Sequence, residues 1–585
     1  MGMADAVICG GILSARPPSS GSGFISNRRS MIRGHLQGNA RRSLIKARKQ
    51  YLQRDHPAEP IAIPFDPLRY CRQIERFWQR PRRWAPVVFG IVLLGMVSAR
   101  SSMVLYGMWY CCHDAFLVMD GAWRMAYGQR PHVDFNSMLG PAAYLPTLIG
   151  LRLTSNIVEG FAFGQALVGA VLGIWGYLMG SALCDLARCL YALCIAAIAI
   201  SPGQLGLSPF ALTPGMTYNR YCYALLGILL LEILLSERFS RFKQGFSTGA
   251  VLGILAFIKF TSFATAVVLL VCLTSMRGTT RSRWLGIVAG FSCIACPFAI
   301  YLHFDLIAIL RDIALTAAAK HVQLVELYQY NSIAFEAVTG LLFTCLVSFF
   351  LLENLQPSLA KRVLRGGVVV IVANVLLLFG NWQQSELPLV GLILLILCQL
   401  LVDGRAGRTA SDSGTPALVI GAATLFAGLT VASAIVGLGS GIWLKTHSAK
   451  AASKFRVLAL QGFVPVRWDA AYTDFVNDGF ILLQQYRRPA ERVMSLDFSN
   501  PFSCGLAIPP APGGSTNLQY KGSFDSKHKL SAWRLFGQAD LVMVPKSFSD
   551  PSLQESIPTI YGPYLESHFH LIGESLQWKL YRRMP

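Results

Sequence analysis

Charge is scarce in this chain. Asp, Glu, Lys and Arg make up 14% of its 585 residues, against 53% hydrophobic, which is too apolar for a soluble enzyme of this size. Acid is scarcer than base, 31 residues against 52, leaving a formal net charge of +21. That excess invites a nucleic-acid reading, but much of it collects in the N-terminal arm and in short loops between apolar runs. Such asymmetry is a topology signal, and nucleic acid is set aside as a partner. A convincing leader is also wanting: the apolar stretch 6–13 is short and has no basic residues before it.

Cysteine is not scarce, but a disulfide framework is excluded by where the fourteen cysteines fall. Cys184, Cys194, Cys272, Cys345 and Cys398 lie inside apolar runs, where Cys behaves as a small hydrophobe. Cys293 and Cys296 form one pair without a second, which is no zinc pattern. Cys504 stands alone in the C-terminal region.

What is abundant is apolar runs of about 20 residues, long enough to cross a bilayer. The runs are 84–105, 160–183, 190–207, 221–236, 284–302, 332–352, 366–379, 387–401 and 417–444. Segment 246–276 has basic loops at both ends, so it is expected to leave and return as two short half-helices meeting near Lys259. Arg80, Arg82 and Arg83 hold the first span's start in the cytosol, and Arg-rich loops then alternate with Arg-poor ones. The fold class expected is an α-helical polytopic membrane protein of about eleven spans. Residues 1–83 read as a basic, largely disordered cytosolic arm, 84–444 as the transmembrane part with a first outer loop at 106–159, and 445–585 as an outer-face α/β domain. In that last region buried-strand patterns at "KFRVLAL", "ERVMSLDF" and "ADLVMVP" flank a helical one. It has no phosphate-binding glycine fingerprint, and "PPAPGG" at 509–514 reads as a plain loop.

The first outer loop carries the chemistry. Phe116, Met119, Trp123 and Tyr127 recur at three- and four-residue spacing, predicting an amphipathic helix lying on the membrane with its aromatic face in the headgroups. Gly128 ends it in a left-handed conformation and Pro131 prevents its resumption. Asp114 has two readings, a helix cap and a general base facing a lipid-borne substrate. Asp134 is either a solvated loop acid or its companion. Tyr218, Asn219 and Arg220 sit at the outer mouth of the fourth span, where Arg220 either snorkels or binds phosphate. Lys259, between two apolar half-helices, is costly to bury and therefore a functional candidate.

The stretch "HDAFLVMDGAWRMAYGQRPHVDFNSMLGPAAYL" resembles the first outer loop of GT-C glycosyltransferases that use polyprenyl-phosphate sugars, among them protein mannosyltransferase-like and lipid A sugar-transferase-like enzymes. Their order of an acid after the first span, small-Gly-x-x-Pro, Asp-Phe, Gly-Pro and Tyr-Leu is met by Asp114, Gly128, Pro131, Asp134-Phe135, Gly140-Pro141 and Tyr144-Leu145. One departure is His113, where many relatives have a second acid, so no metal ligand set follows, although a divalent metal is compatible with the family.

The resemblance implies an inverting sugar transferase of the bacterial inner membrane with a periplasmic active site. Asp114 and Asp134 would be catalytic, with His113, Tyr218, Asn219, Arg220 and Lys259 binding substrate. Its partners would be a polyprenyl-phosphate-linked sugar donor, membrane lipids, and a lipid, glycan or protein acceptor. Two other classes stay open: a transporter or lipid flippase, which predicts internal repeats and mid-membrane charges, and a non-catalytic envelope-assembly protein, in which Asp114 is dispensable.

Overall fold

The computed structural model describes residues 82–103, 105–108, 112–203, 212–235, 240–275, 280–320, 415–447, 454–465 and 470–585, with parts of 391–399 and isolated positions before 82. They belong to one compact unit, Pro67–Pro585. The expected spans 332–352 and 366–379 and most of the N-terminal arm lie outside the described residues.

The chain is mostly helical. Among the described residues the elements run α1 (Ala85–Met103), β1 (Leu105–Met108), α2 (Cys112–Ala126), α3 (Pro141–Thr154), α4 (Ile157–Met179), α5 (Asp185–Ile200), α6 (Thr217–Leu234), α7 (Arg241–Ile258), α8 (Phe260–Ser275), α9 (Arg281–Tyr301), α10 (Leu306–Ala319) and α11 (Thr415–His447). After them come β2 (Phe463–Pro465), α12 (Ala470–Tyr486), β3 (Val493–Ser495), α13 (Phe502–Gly505), α14 (Ala532–Phe536), β4 (Leu541–Pro545), α15 (Leu553–His568), β5 (Phe569–Glu574) and β6 (Trp578–Arg583).

Among the described residues four helical segments are long and apolar enough to cross a membrane: Ala85–Met103, Ile157–Ala182, Arg281–Tyr301 and Ala423–His447. Their outward faces carry exposed large apolar side chains, such as Val87, Ile91 and Leu94 on α1 and Leu285 and Val288 on α9. In water such a stripe would be an aggregation liability; in hydrocarbon it is the solvated face. By contrast α6 is buried along nearly its whole length, so it forms the centre of the helix cluster.

Two local features set where the site lies. Gly245 and Gly249 on α7 face Gly286 and Gly290 on α9 so closely that a Cβ on any of them would strike the opposing backbone, the small-residue packing common between membrane helices. That contact anchors α7, and the helix stops at Lys259, whose backbone is extended (φ −155°, ψ 118°) before α8 begins. The break expected near Lys259 is therefore present.

The segment after α11 returns to the end of α1. Lys445 donates to the Ser102 carbonyl at 2.8 Å, and β2 pairs in parallel with β1, Phe463 opposite Leu105. Beyond it lies a four-stranded sheet in the order β3-β4-β6-β5, with β3 parallel to β4 and the other pairs antiparallel. Its inward residues Leu541, Met543, Trp578 and Leu580 are buried.

Candidate active site

The helix α2 begins and ends as its residues require. Asp114 lies in the first turn, where a carboxylate meets the positive end of the helix dipole. At the other end Gly128 has φ +82°. Its N–H bonds to the Met125 carbonyl and that of Gln129 to the Arg124 carbonyl, both at 3.0 Å, which is a Schellman closure.

The surface-helix expectation fails. Phe116 and Met119 are fully buried, with the Phe116 ring 5.8 Å from Phe455 and 5.5 Å from Phe463. Trp123 is partly buried and donates its indole N–H to the Ile508 carbonyl at 2.8 Å. The apolar face of α2 thus meets the C-terminal segment of this chain where lipid headgroups were expected; only Tyr127 of the four aromatic-face residues is exposed.

Asp114 and His113 remain reachable at the start of that buried helix. Their side chains are 13% and 30% exposed, and His113 Nε2 lies 3.6 Å from Asp114 Oδ1. Tyr218, at the start of α6, is within electrostatic reach of Asp114. Its ring lies 5.4 Å from the Lys259 ammonium, which donates to Asn219 Oδ1 at 3.1 Å. Four of the predicted residues, Asp114, Tyr218, Asn219 and Lys259, therefore form one neighbourhood with His113. Gly140 ties the segment between α2 and α3 to it: its N–H donates to the Ile258 carbonyl at 3.0 Å, and a Cβ there would strike the Phe257 carbonyl.

Arg220 is placed differently. It is buried and donates to the Ser201 carbonyl at 2.6 Å and to those of Thr213 and Gly215 at 3.4 Å each. Those donors brace the turn that leads into α6.

Asp134 also has its own partner. Arg130 grips it with its backbone N–H at 2.7 Å and with two guanidinium nitrogens at 2.9 and 3.1 Å. Burial pushes this carboxyl up, but the bonds from Arg130 outweigh that and hold it below the usual carboxylate range. The Asp134 carbonyl accepts from Gly513, whose own carbonyl accepts from Arg124. Arg124 is ten residues beyond Asp114, about 15 Å along a helix, so the two aspartates belong to different surroundings.

Several residues that hold this framework were given no role from the sequence. Asp120 and Arg124 form a fully buried pair at 2.8 Å. Arg124 also reaches the Ala511 and Gly513 carbonyls, and Gln129 reaches that of Pro510. The "PPAPGG" loop is thus a strap along α2. Asp312 of α10, buried, takes the N–H of Ser137 at 3.2 Å and lies 3.1 Å from His132 Nδ1. Arg534 donates to the His132 carbonyl from the C-terminal segment. The available signal was an Asp and an Arg four apart on a helix otherwise too apolar to be solvated.

Among the described residues no group of three or more His, Cys, Asp or Glu converges to hold a metal ion. No protein-family model matches the chain, and no curated protein does. Among solved structures it is similar to ArnT from Cupriavidus metallidurans bound to undecaprenyl phosphate, with 13% identity, 86% of this chain and 98% of that one covered and a TM-score of 0.39. Apo ArnT from the same organism gives 12%, 85%, 97% and 0.41. The arabinofuranosyltransferase AftD from Mycobacteria gives 14% identity, 86% of this chain but 40% of that one, and a TM-score of 0.38.

Proposed function

We propose that the chain is a GT-C-type membrane glycosyltransferase that moves a sugar from a polyprenyl-phosphate donor to an acceptor hydroxyl on the periplasmic face of a bacterial inner membrane. The observation that carries this is a partly exposed carboxylate, Asp114, within electrostatic reach of Tyr218, whose ring lies beside the Lys259 ammonium that Asn219 holds at the start of α6. Together with the motif order around Asp114, it supplies what such a transfer needs: a base, and a cation for the leaving phosphate.

In the reaction proposed, the Asp114 carboxylate takes the acceptor O–H proton as the oxygen bonds to the anomeric carbon. The bond from that carbon to the phosphate oxygen breaks on the opposite face, inverting the centre. The bonding pair leaves on the polyprenyl phosphate, whose charge Lys259 balances in a partly dehydrated site. Asn219 fixes the ammonium. Arg220 acts indirectly, by bracing the turn beneath Asn219, and Asp134 shapes the far end of the first outer loop.

The test has two parts. Envelope glycans and lipid-linked sugars are compared by mass spectrometry in a deletion strain carrying the wild-type chain or Asp114→Asn. Loss of one glycan decoration with build-up of one lipid-linked sugar, in both the deletion and the variant, is expected. Full complementation by Asp114→Asn would overturn the proposal. Reporter fusions at Gly128 and Asn500 should both report the periplasm.

A further inference from the structure

Helix α10 has its polarity reversed. Its buried face carries Asp312, whereas its exposed face is apolar. Ile307 and Leu310 are 78% and 58% exposed, and Ala314, Ala317 and Ala318 continue the exposed face toward the helix end. Arg311 is the only charged side chain beside that face, and it turns back to the His132 carbonyl at 3.0 Å. A helix bathed by water carries its charges outward and its apolar stripe inward.

The corner before α10 fixes where it starts. α9 closes with the His303 N–H on the Ile300 carbonyl at 2.9 Å and the Phe304 N–H on the Ala299 carbonyl at 2.7 Å. His303 and Phe304 are both left-handed there, at φ 52° and 62°. Asp305 then caps α10, accepting from the Ala308 N–H at 3.1 Å. The 21 residues of α9 make about 31 Å of helix, against a hydrocarbon layer of about 30 Å. A span of that length ends at the lipid–water boundary, and α10 begins five residues after Tyr301.

We infer that α10 lies in the lipid–water boundary with its exposed face among the acyl chains, and that through Asp312 it holds the segment between α2 and α3 at that level. The partner is a bilayer surface. Its apolar face continues the lipid-facing stripe of α9, which runs through Leu285 and Val288 to the exposed Ile300, and helices of this kind sink one face about 5–10 Å into the headgroup region. Nothing in this placement depends on sugar transfer; it requires only that α9 cross the bilayer.

The protein side of α10 shows what the seat would hold. Asp312 accepts from the Ser137 N–H at 3.2 Å and lies 3.1 Å from His132 Nδ1. Arg311 of α10 and Arg534 of α14 both donate to the His132 carbonyl, at 3.0 and 2.9 Å. His132 itself is held at φ +70°, a conformation disfavoured for a residue with a Cβ and kept only where its surroundings impose it. Lifting α10 from the boundary would strain or release these contacts, and with them the stretch that carries the Arg130–Asp134 pair.

The test uses the full-length protein in nanodiscs of phosphatidylethanolamine and phosphatidylglycerol. p-Benzoylphenylalanine is placed at Ile307 or Leu310, the sample is irradiated, and peptide masses are read. Both positions should form lipid adducts, as should Leu285 on α9, while Glu555, exposed on α15, should form few. Adducts at 307 and 310 to another segment of this chain or to a second copy, in place of lipid, overturn the inference. Hydrogen exchange reads the link through Asp312. Ile307→Glu with Leu310→Glu changes two exposed side chains and leaves the packed face of α10 intact, but puts carboxylates among the acyl chains. The Ser137 amide should then exchange at least about threefold faster in nanodiscs, as local opening becomes easier. An unchanged Ser137 rate overturns the coupling. Both readouts stand apart from the glycan analysis of Asp114→Asn, so failure of the transferase reading is told apart from failure here.

Discussion

Lys259 reaches 3.1 Å from its own helix break to Asn219 Oδ1 on α6. A lysine at the end of an apolar helix ordinarily snorkels to water; this one is held over Tyr218 instead. Replacing it with Ala removes a charge-assisted contact of the kind worth about 1.5–3 kcal/mol. Binding of a polyprenyl phosphate to the purified protein, followed by native mass spectrometry, should weaken about tenfold or more. Arg220→Ala should instead lower the unfolding temperature, since three backbone carbonyls lose their donor. Equal donor affinity in wild type and Lys259→Ala would remove Lys259 from the phosphate.

Asp114→Asn keeps the size of the side chain and its place in the first turn of α2, yet cannot accept the acceptor proton. General-base catalysis contributes about 10²–10⁴-fold, so transfer should fall by that factor while donor binding stays near wild type. Asp134→Asn is expected to cost less, because it loosens the Arg130 grip far from the base. The measurement is single-turnover transfer with extracted lipid-linked sugar. A residual rate above about a third of wild type lies outside the catalytic range and would return Asp114 to a dipole-capping role.

What the sequence made legible was local. The extent of α2, its left-handed end at Gly128 and the helix break at Lys259 follow from residues within a few positions of each other. The partners of α2 were not legible. Phe116 and Trp123 form an apolar stripe whether lipid or protein covers it, and the stripe alone has no mark for which. The cover comes from Phe455, Phe463 and Ile508, hundreds of residues later, and a helical pattern carries no information about so distant a partner. The same holds for Arg220: an arginine at a span's mouth looks alike whether its donors meet phosphate or three carbonyls.

The Asp120–Arg124 pair gives a stability prediction. Both side chains are nearly inaccessible, at 0% and 2%, and Arg124 also holds two carbonyls of the 509–514 strap. Arg124→Ala leaves a carboxylate buried without its cation, a change that costs about 3–5 kcal/mol. The purified variant should unfold well below wild type in a detergent thermal melt. The double variant Asp120→Asn with Arg124→Met should recover part of the loss, since it removes the stranded charge. A double variant as unstable as the single one would show that the strap contacts, not the charge, dominate.

Asp497 makes stability depend on pH in a definite direction. Burial raises its carboxyl to about 6, above the roughly 3.9 of an unfolded aspartate. Between those values the folded state binds more protons than the unfolded one, so unfolding free energy falls as pH rises. The penalty is absent below about pH 4, grows through about pH 6 and then levels off, amounting to about 2–3 kcal/mol. Asp497→Asn can still accept from Ser549 but has no proton to lose, so its share of the slope disappears. Melting temperatures of the purified protein across that window should fall more steeply for wild type than for the variant, and the two curves should converge at the acid end. Parallel curves would mean that Asp497 stays ionised throughout, with the Ser549 contacts and His113 outweighing its burial.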